Sequence, residues 1–308
     1  MLRRGPVNRH IRKRSMQAAR TLPAGQAKLR AMRETDLQAC HGLSQHLKWP
    51  HRLADWQFHH AVSRGWVVTL TRTGAAPETS GSGMLCYCGP EHATLGLVII
   101  SDALQGRGLG RAMMQQLLAD AGGRSVILNA TAAGRPLYEK LGFQAIDTLS
   151  QHQSATAQAP RTALPPGSRI RPLQADEAPA LLAFDRHASG MDRSAVLTAL
   201  LKFAEVAVLE RDGRVKGVAM LRAFGRGHVI GPVIAADLED AKTLISHWVN
   251  ACPGAFLRID VPGKSGLKPW LQDIGLACVD NVVTMCRGSA PHGDAQWRIY
   301  SIINQALG

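Results

Sequence analysis

No apolar run in this sequence approaches the roughly 18 residues that a bilayer-spanning helix needs, so an integral membrane helix is not expected. Cysteine is sparse and unpatterned. Six residues are scattered at 40, 86, 88, 252, 278 and 286, and none form a C-x-x-C pair. The C-x-C of Cys86 and Cys88 puts both thiols on one face of a strand, so neither a zinc framework nor a disulfide scaffold is expected. Twelve histidines include no H-x-x-x-H pair, which argues against a metal site. Acid is also short, with 23 Asp and Glu against 36 Lys and Arg, for a formal net charge of +13. Seven of those cations (Arg3, Arg4, Arg9, Arg12, Lys13, Arg14 and Arg20) fall within residues 1–26, which hold no acid. The rest of the chain carries about +6 (13 − 7), an ordinary surface for two domains, so nucleic-acid contact is not expected except through this arm. The arm has no apolar stretch and no helical stripe. It is expected to be a disordered tail, or the product of a start codon upstream of the true one, and a secretory signal is not expected. A reducing cytoplasm is the expected setting, with a monomer or homodimer as the assembly.

What remains is 308 residues with 45% hydrophobic content, enough for two domains that each bury a core. Order is expected from about Lys28. Leu29 to Met32 reads as a strand, and Thr35 or Asp36 caps a following helix. Trp49 to Ala61 reads as a helix with Pro50 in its first turn. Trp66–Thr71, Met84–Cys88 and His92–Ile100 read as strands, with a polar turn over Thr73–Gly81. A glycine-rich segment precedes a helix over Arg111–Ala121. Val126–Leu128 reads as a buried strand and Pro136–Leu141 as a short helix ended by Gly142. Gln151–Ser168 carries no acid and three prolines, and reads as a linker.

The second part of the chain echoes the first. Gly96-Leu-Val98-Ile99-Ile-Ser-Asp102 corresponds to Gly231-Pro-Val233-Ile234-Ala-Ala-Asp237. Arg135-Pro136-Leu-Tyr138-Glu-Lys-Leu-Gly142 corresponds to Lys268-Pro269-Trp-Leu271-Gln-Asp-Ile-Gly275, and Leu29-Arg30 corresponds to Ile170-Arg171. Three echoes in one order indicate a duplicated fold.

The strongest chemical signal is Gln105-Gly106-Arg107-Gly108-Leu109-Gly110-Arg111, between an apolar strand and a helix. Glycines let backbone N–H groups converge, and the helix presents unpaired amides with its positive dipole end forward. Such a site holds a pyrophosphate, with Arg107 and Arg111 as added cations. It is not a Walker A loop, since no Gly-Lys-Ser/Thr follows. It also lacks the spacing and first-strand position of a Rossmann loop.

On these residues the sequence resembles the GNAT acetyltransferases. Their acetyl-CoA loop, Gln/Arg-x-x-Gly-x-Gly/Ala, is matched by Gln105, Gly108 and Gly110. Leu128-Asn-Ala130-Thr131 through Leu137-Tyr138-Glu139-Lys140-Leu141-Gly142-Phe143 is similar to the strand and helix that follow in that family. Residues 169–308 resemble the diverged second domain of tandem GNAT proteins. The resemblance implies an α+β fold in α/β/α layers, with two domains, each a mixed, mostly antiparallel sheet flanked by helices. The expected divisions are a 1–26 arm, an acetyl-CoA-binding domain over 27–150, a linker over 151–168 and a degenerate domain over 169–308. It also implies roles. Tyr138 would protonate the departing thiolate, the alternative being a Tyr packed on the core with its hydroxyl wet. The main chain of Val98, Ile99 and Ile100 would pair with the pantetheine arm and help hold the oxyanion. Gln105 to Arg111 would cradle the pyrophosphate, and Thr131 would stand where the family carries Asn. An amine acceptor, with a pKa near 10.4, needs a base or water relay. Glu91 and His92 are the candidates, with His59, His60 and Asp192 open. Asp185, Asp192 and Arg193 either meet a polar acceptor or start an ordinary helix. Trp49, Trp56 and Trp66 either line an acceptor pocket or belong to the core.

The second unit lacks both chemical features. Asp237-Leu-Glu239-Asp240 runs straight into a helix whose acids repel pyrophosphate, and Leu271 stands where Tyr138 does. The expected function is acetyl-CoA-dependent N-acetylation of a small primary amine, by direct attack and without metal. A protein N-acetyltransferase and a non-enzymatic acyl-CoA sensor or scaffold are the alternatives. A deep pocket between the domains favours a small acceptor and an open groove a protein one.

Overall fold

The computed structural model describes residues 20–21 (backbone only), 27–71, 73–74, 76–160 and 164–308. The expectation of a disordered arm therefore lies outside the described residues, except that Arg20–Thr21 forms a strand paired with Leu29 and Lys28.

In chain order the first half contains β1 (Arg20–Thr21), β2 (Ala27–Ala31), α1 (Leu37–His46), α2 (Leu53–Val62), β3 (Arg64–Leu70), β4 (Glu78–Cys88), β5 (His92–Ile100), α3 (Leu109–Ala121), β6 (Ser125–Ala130), α4 (Arg135–Lys140) and β7 (Gln144–Ser154). The second half contains β8 (Ser168–Pro172), α5 (Ala178–Ser189), α6 (Ser194–Leu200), β9 (Glu205–Arg211), β10 (Arg214–Phe224), β11 (Gly227–Ala235), α7 (Leu238–Ala251), β12 (Leu257–Pro262), α8 (Lys268–Asp273), β13 (Ala277–Arg287) and β14 (Arg298–Ser301).

The halves repeat one plan down to single ion pairs. In the first, Arg30 on β2 forks onto Asp36 at 2.7 Å, and the same carboxylate accepts the Arg33 N–H at 2.8 Å. In the second, Arg171 on β8 forks onto Glu177 at 2.7 Å, and Glu177 accepts the Gln174 N–H at 2.8 Å. α4 and α8 both end at a left-handed glycine, Gly142 at φ +85° and Gly275 at φ +83°.

Side-chain alternation along the strands builds the layers. Leu29, Trp66, Val68, Leu85 and Leu95 pack under Met113, Met114 and Leu117 of α3. Val67, Met84 and Leu97 face the other way, onto Leu37, Cys40 and Trp56 of α1 and α2. In the second half α7 covers one face through Leu244, Ile245 and Trp248. α5 and α6 cover the other, and their cluster takes in Cys86, Phe58 and Val62 of the first half.

The sheets are not separate. One continuous, mostly antiparallel sheet runs β1-β2-β3-β4-β5-β6-β13-β7-β12-β11-β10-β9-β8, with β14 paired to β11. β13, from the end of the second half, lies between β6 and β7. β7, from the end of the first half, pairs with β12. β7 and β13 have thus changed places between the halves. A boundary at residue 150 cuts β7, and the stretch read as a linker from Gln151 is strand as far as Ser154.

Two further expectations shift. The helix read over Trp49–Ala61 begins only at Leu53. Lys48 is left-handed (φ +59°) and Arg52 is extended, and Asp55 caps the helix by accepting the Arg52 N–H at 2.8 Å. Pro50 therefore lies in a loop. The polar stretch before Met84 is a turn only in part, because β4 already starts at Glu78.

Candidate active site

β5 and β6 are parallel neighbours only over His92–Leu95 and Ser125–Leu128, and beyond that they diverge. The β4–β5 ladder breaks at the same place, between Ser82 and Met84. The cause is a bulge in which Leu97 is left-handed (φ +54°), a conformation a branched side chain rarely adopts. The Ser82 hydroxyl donates to the Leu97 carbonyl at 2.8 Å, taking up an acceptor the ladder loses.

The gap opens into a cavity of about 570 Å³ lined by Leu95–Ile100, Leu104–Gly106, Gly108–Arg111 and Tyr138 among others. Gly106 (φ +73°) and Gly108 (φ +77°) bend the loop so that α3 starts at Leu109. The N–H groups of residues 106–111 have no acceptor among the described residues. A Cβ at Gly106 or Gly108 would project into open space. Arg107 and Arg111 are exposed, with no ion pair among the described residues. Free amides, a helix dipole and two unpaired guanidiniums suit a pyrophosphate. Gln105 is exposed. Its side-chain amide donates to Asp102 at 2.8 Å and to the Ile100 carbonyl at 3.3 Å, so it braces the turn.

On the far wall, Tyr138 is 9% exposed and meets Phe143 edge-on at 6.0 Å. Its ring lies against Gly134, where a Cβ would come within 2.9 Å of Cε2. Burial pushes the phenol up to about 12, so it is a neutral O–H donor at physiological pH. Its hydroxyl has no partner among the described residues. Thr131 lines the same cavity and braces the turn before α4, its hydroxyl accepting the Gly134 N–H at 3.3 Å.

A second cavity, about 310 Å³, adjoins the first and shares Trp49, Gly96, Leu97, Asn129 and Thr131 with it. Both halves wall it. Lys48, His51 and Gln151 come from the first, and Phe224, Arg226, Arg258 and Asp280 from the second. Residues 304–306 complete it. The Asn129 amide donates to the Gln305 carbonyl at 2.8 Å, and a Cβ at Gly96 would collide with Ala306. The β10–β11 hairpin is clamped onto the α1–α2 loop. Asp55 accepts from Arg52 and, at 3.0 Å, from the Gly225 N–H, while Arg52 donates to the Ala223 carbonyl at 2.6 Å.

Of the three tryptophans, Trp49 lines both cavities. Trp56 and Trp66 are core, with indole N–H groups on Ser44 and Asp120. Asp185 and Arg193 form an ion pair 1% exposed on each side, and Asp192 holds Arg186 and Ser194. All three are structural. Glu91 and His92 sit at the opposite end of β5 and line neither cavity. Five residues at about 3.3 Å each put His92 roughly 16 Å from the bulge, so the structure does not bring them to the gap as a base. His60 lines neither cavity either. The residues the sequence reading missed are His51, Lys48, Arg226 and Arg258. They come from distant segments and share no motif, so no spacing signals them.

His51 packs edge-on against Trp49, Trp56 and Phe224, and its Nδ1 has no partner among the described residues. Burial lowers it to about 4 and lowers His59, 2% exposed beside Asn304, to about 3. The unfolded chain protonates both near pH 6.5 while the folded chain does not. Their stability contribution is therefore full above pH 6.5 and lost as pH falls toward 4. At pH 5 the loss from His59 is on the order of 2 kcal/mol, with a further share from His51. Urea unfolding midpoints are expected to fall between pH 7 and 5, and the fall to shrink in the double variant His51→Gln/His59→Gln.

In the second half the matching gap between β11 and β12, paired only at His228–Leu257 and Val229–Arg258, is filled. β14 pairs with β11 over Val233–Ala235, and the Ser301 hydroxyl donates toward the Ile230 and Asp260 carbonyls. There is no glycine turn, and Asp237 accepts the Asp240 N–H at 2.8 Å to cap α7 directly. Leu271 is fully buried. Among the described residues no helix is long and apolar enough to cross a membrane.

Family models described as an acetyltransferase (GNAT) domain match residues 79–156 and 181–301, together more than half of the chain. An uncharacterised N-acetyltransferase of Bacillus subtilis, YitH, is 28% identical over 220 residues, covering 70% of this chain and 76% of that protein. Among solved structures, a proposed acetyltransferase of Pyrococcus horikoshii matches with a TM-score of 0.74 at 19% identity, over 92% of this chain and 96% of that one. A tandem GNAT protein from the clavulanic acid biosynthesis pathway matches at 0.60 and 13%, over 86% and 99%. The two structures share the fold. With both halves matched by the family's domain, the chain belongs to the GNAT acetyltransferases as a tandem member, and it is an acyltransferase.

Proposed function

We propose that this acyltransferase moves an acetyl group from acetyl-CoA to a primary amine of a small molecule, at one site per chain. The observation that carries the reading is the meeting of two cavities at the β5 bulge. The glycine-loop cavity suits acetyl-CoA, with residues 106–111 on the pyrophosphate and the Val98–Ile100 main chain along the pantetheine arm. The adjoining cavity suits the acceptor. Its volume and its walls from both halves favour a small molecule over a protein segment, which would need an open groove.

The amine nitrogen attacks the thioester carbonyl, the C–S bond breaks, and the Tyr138 hydroxyl gives the departing sulfur its proton. The amine's proton leaves through water, since no carboxylate lines the glycine-loop cavity and Asp280, which lines the adjoining one, is exposed. Proximity of the two bound substrates supplies much of the acceleration. The second half is read as inactive toward acetyl-CoA, because β14 fills its gap and Asp237 replaces the glycine turn.

Calorimetric titration of the full chain with acetyl-CoA tests the reading. One site per chain is expected. Two sites would overturn the inactive second half, and no binding to folded protein would overturn the transferase.

A further inference from the structure

Resting on that reading, we infer that the acceptor is an anionic amine, whose carboxylate or phosphate is held by Lys48 and Arg226 at the cavity mouth.

The acceptor cavity opens into a shallower depression of about 610 Å³, with Lys48, Trp49, Pro50, His51 and Arg226 common to both. No carboxylate lines that depression. Three cations do, and they differ in what they already hold. Arg52 is paired with Asp55 at 2.7 Å. Lys48 and Arg226 are exposed and have no ion pair among the described residues. Deeper in, Arg258 is bound to Asp260 at 2.7–3.1 Å, so it adds little net attraction. Asp280, the one carboxylate lining the acceptor cavity, is exposed. The mouth thus carries two unpaired cations and no acid, and no carboxylate lines the glycine-loop cavity beyond, which suits a molecule entering with its anion outward and its amine toward the thioester.

Lys48 is left-handed, and Leu97 at the bulge is too. Of the three non-glycine residues with positive φ among those described, two therefore line this one cavity. Such conformations cluster where function holds them. Arg226 follows Gly225 at the tip of the hairpin clamped by Asp55, and its guanidinium lies over Phe256 at 5.6 Å. The geometry sets two cations from opposite halves around one opening, where neither half alone would make the site.

The test uses the full chain, acetyl-CoA and free-thiol detection with matched acceptors. These are α- and ω-amino acids of two to six carbons against their amides, and O-phosphoethanolamine against ethanolamine. An anionic member is expected to exceed its neutral partner at least 10-fold in kcat/KM. The carboxylate and phosphate pairs show which anion is preferred. Arg226→Met is expected to raise KM for the anionic acceptor about 10-fold with kcat little changed, and to leave its neutral partner unaffected. Arg226→Lys should restore part of the loss, and Lys48→Met should act in the same direction. Equal use of neutral and anionic partners, or an equal effect of Arg226→Met on both, overturns the inference. So does thiol release with no anionic amine while acetyl-CoA still binds one per chain. Failure of acetyl-CoA to bind overturns instead the reading beneath it.

Discussion

Gly108→Val is expected to raise the dissociation constant for acetyl-CoA at least 100-fold, about 2.7 kcal/mol, in a chain that still folds. Two effects combine. Gly108 has φ +77°, where a β-branched residue is strained by about 1–2 kcal/mol, and relief of that strain turns the amides of residues 106–111 out of convergence. The new side chain also enters the open space in front of those amides, the space a pyrophosphate would take. The position contacts no core residue, so thermal stability should fall by only a few degrees. Calorimetry paired with a melting curve separates the outcomes. Lost binding with a retained transition is the expected pair, and retained tight binding would place the pyrophosphate elsewhere.

Tyr138→Phe is expected to lower kcat by 10²–10³, within the range for loss of a general acid, with acetyl-CoA affinity unchanged. The replacement keeps the ring, its place under Gly134 and its edge contact with Phe143, and removes only the O–H. That hydroxyl has no partner among the described residues, so unfolding free energy should move by no more than about 0.5 kcal/mol. Burial keeps the phenol protonated to about 12. The wild-type rate should then show no loss of a proton donor up to pH 10. A kcat within about threefold of wild type would assign Tyr138 to packing alone.

The legible parts of this protein are those written in local sequence. The glycine run, the strand before it and the helix after it are contiguous. Their geometry follows from φ freedom and unpaired helix amides, and the loop was readable residue by residue. The placement of Tyr138 beside that loop was readable because it sits in one continuous strand–helix segment. The echoes between the halves were readable for the same reason, and the structure extends them to the paired Arg30–Asp36 and Arg171–Glu177 forks. Glu91 and His92 show the limit. Placing them at the start of β5 was sound, but which end of β5 faces the gap depends on where β5 and β6 part, a property of two strands distant in sequence.

By itself, then, the sequence determined a duplicated α+β chain with one glycine-rich loop ahead of a helix and a second half lacking that loop. Only the tertiary structure decided that β7 and β13 change places, that β14 fills the second gap, and that Lys48, His51, Arg226 and residues 304–306 meet at the first. The physical reason is that hydrogen-bonded strands of like pattern can pair with several neighbours. The choice among them is made by burial across the whole sheet, where helices of the second half pack on Cys86, Phe58 and Val62 of the first, and no local motif records it.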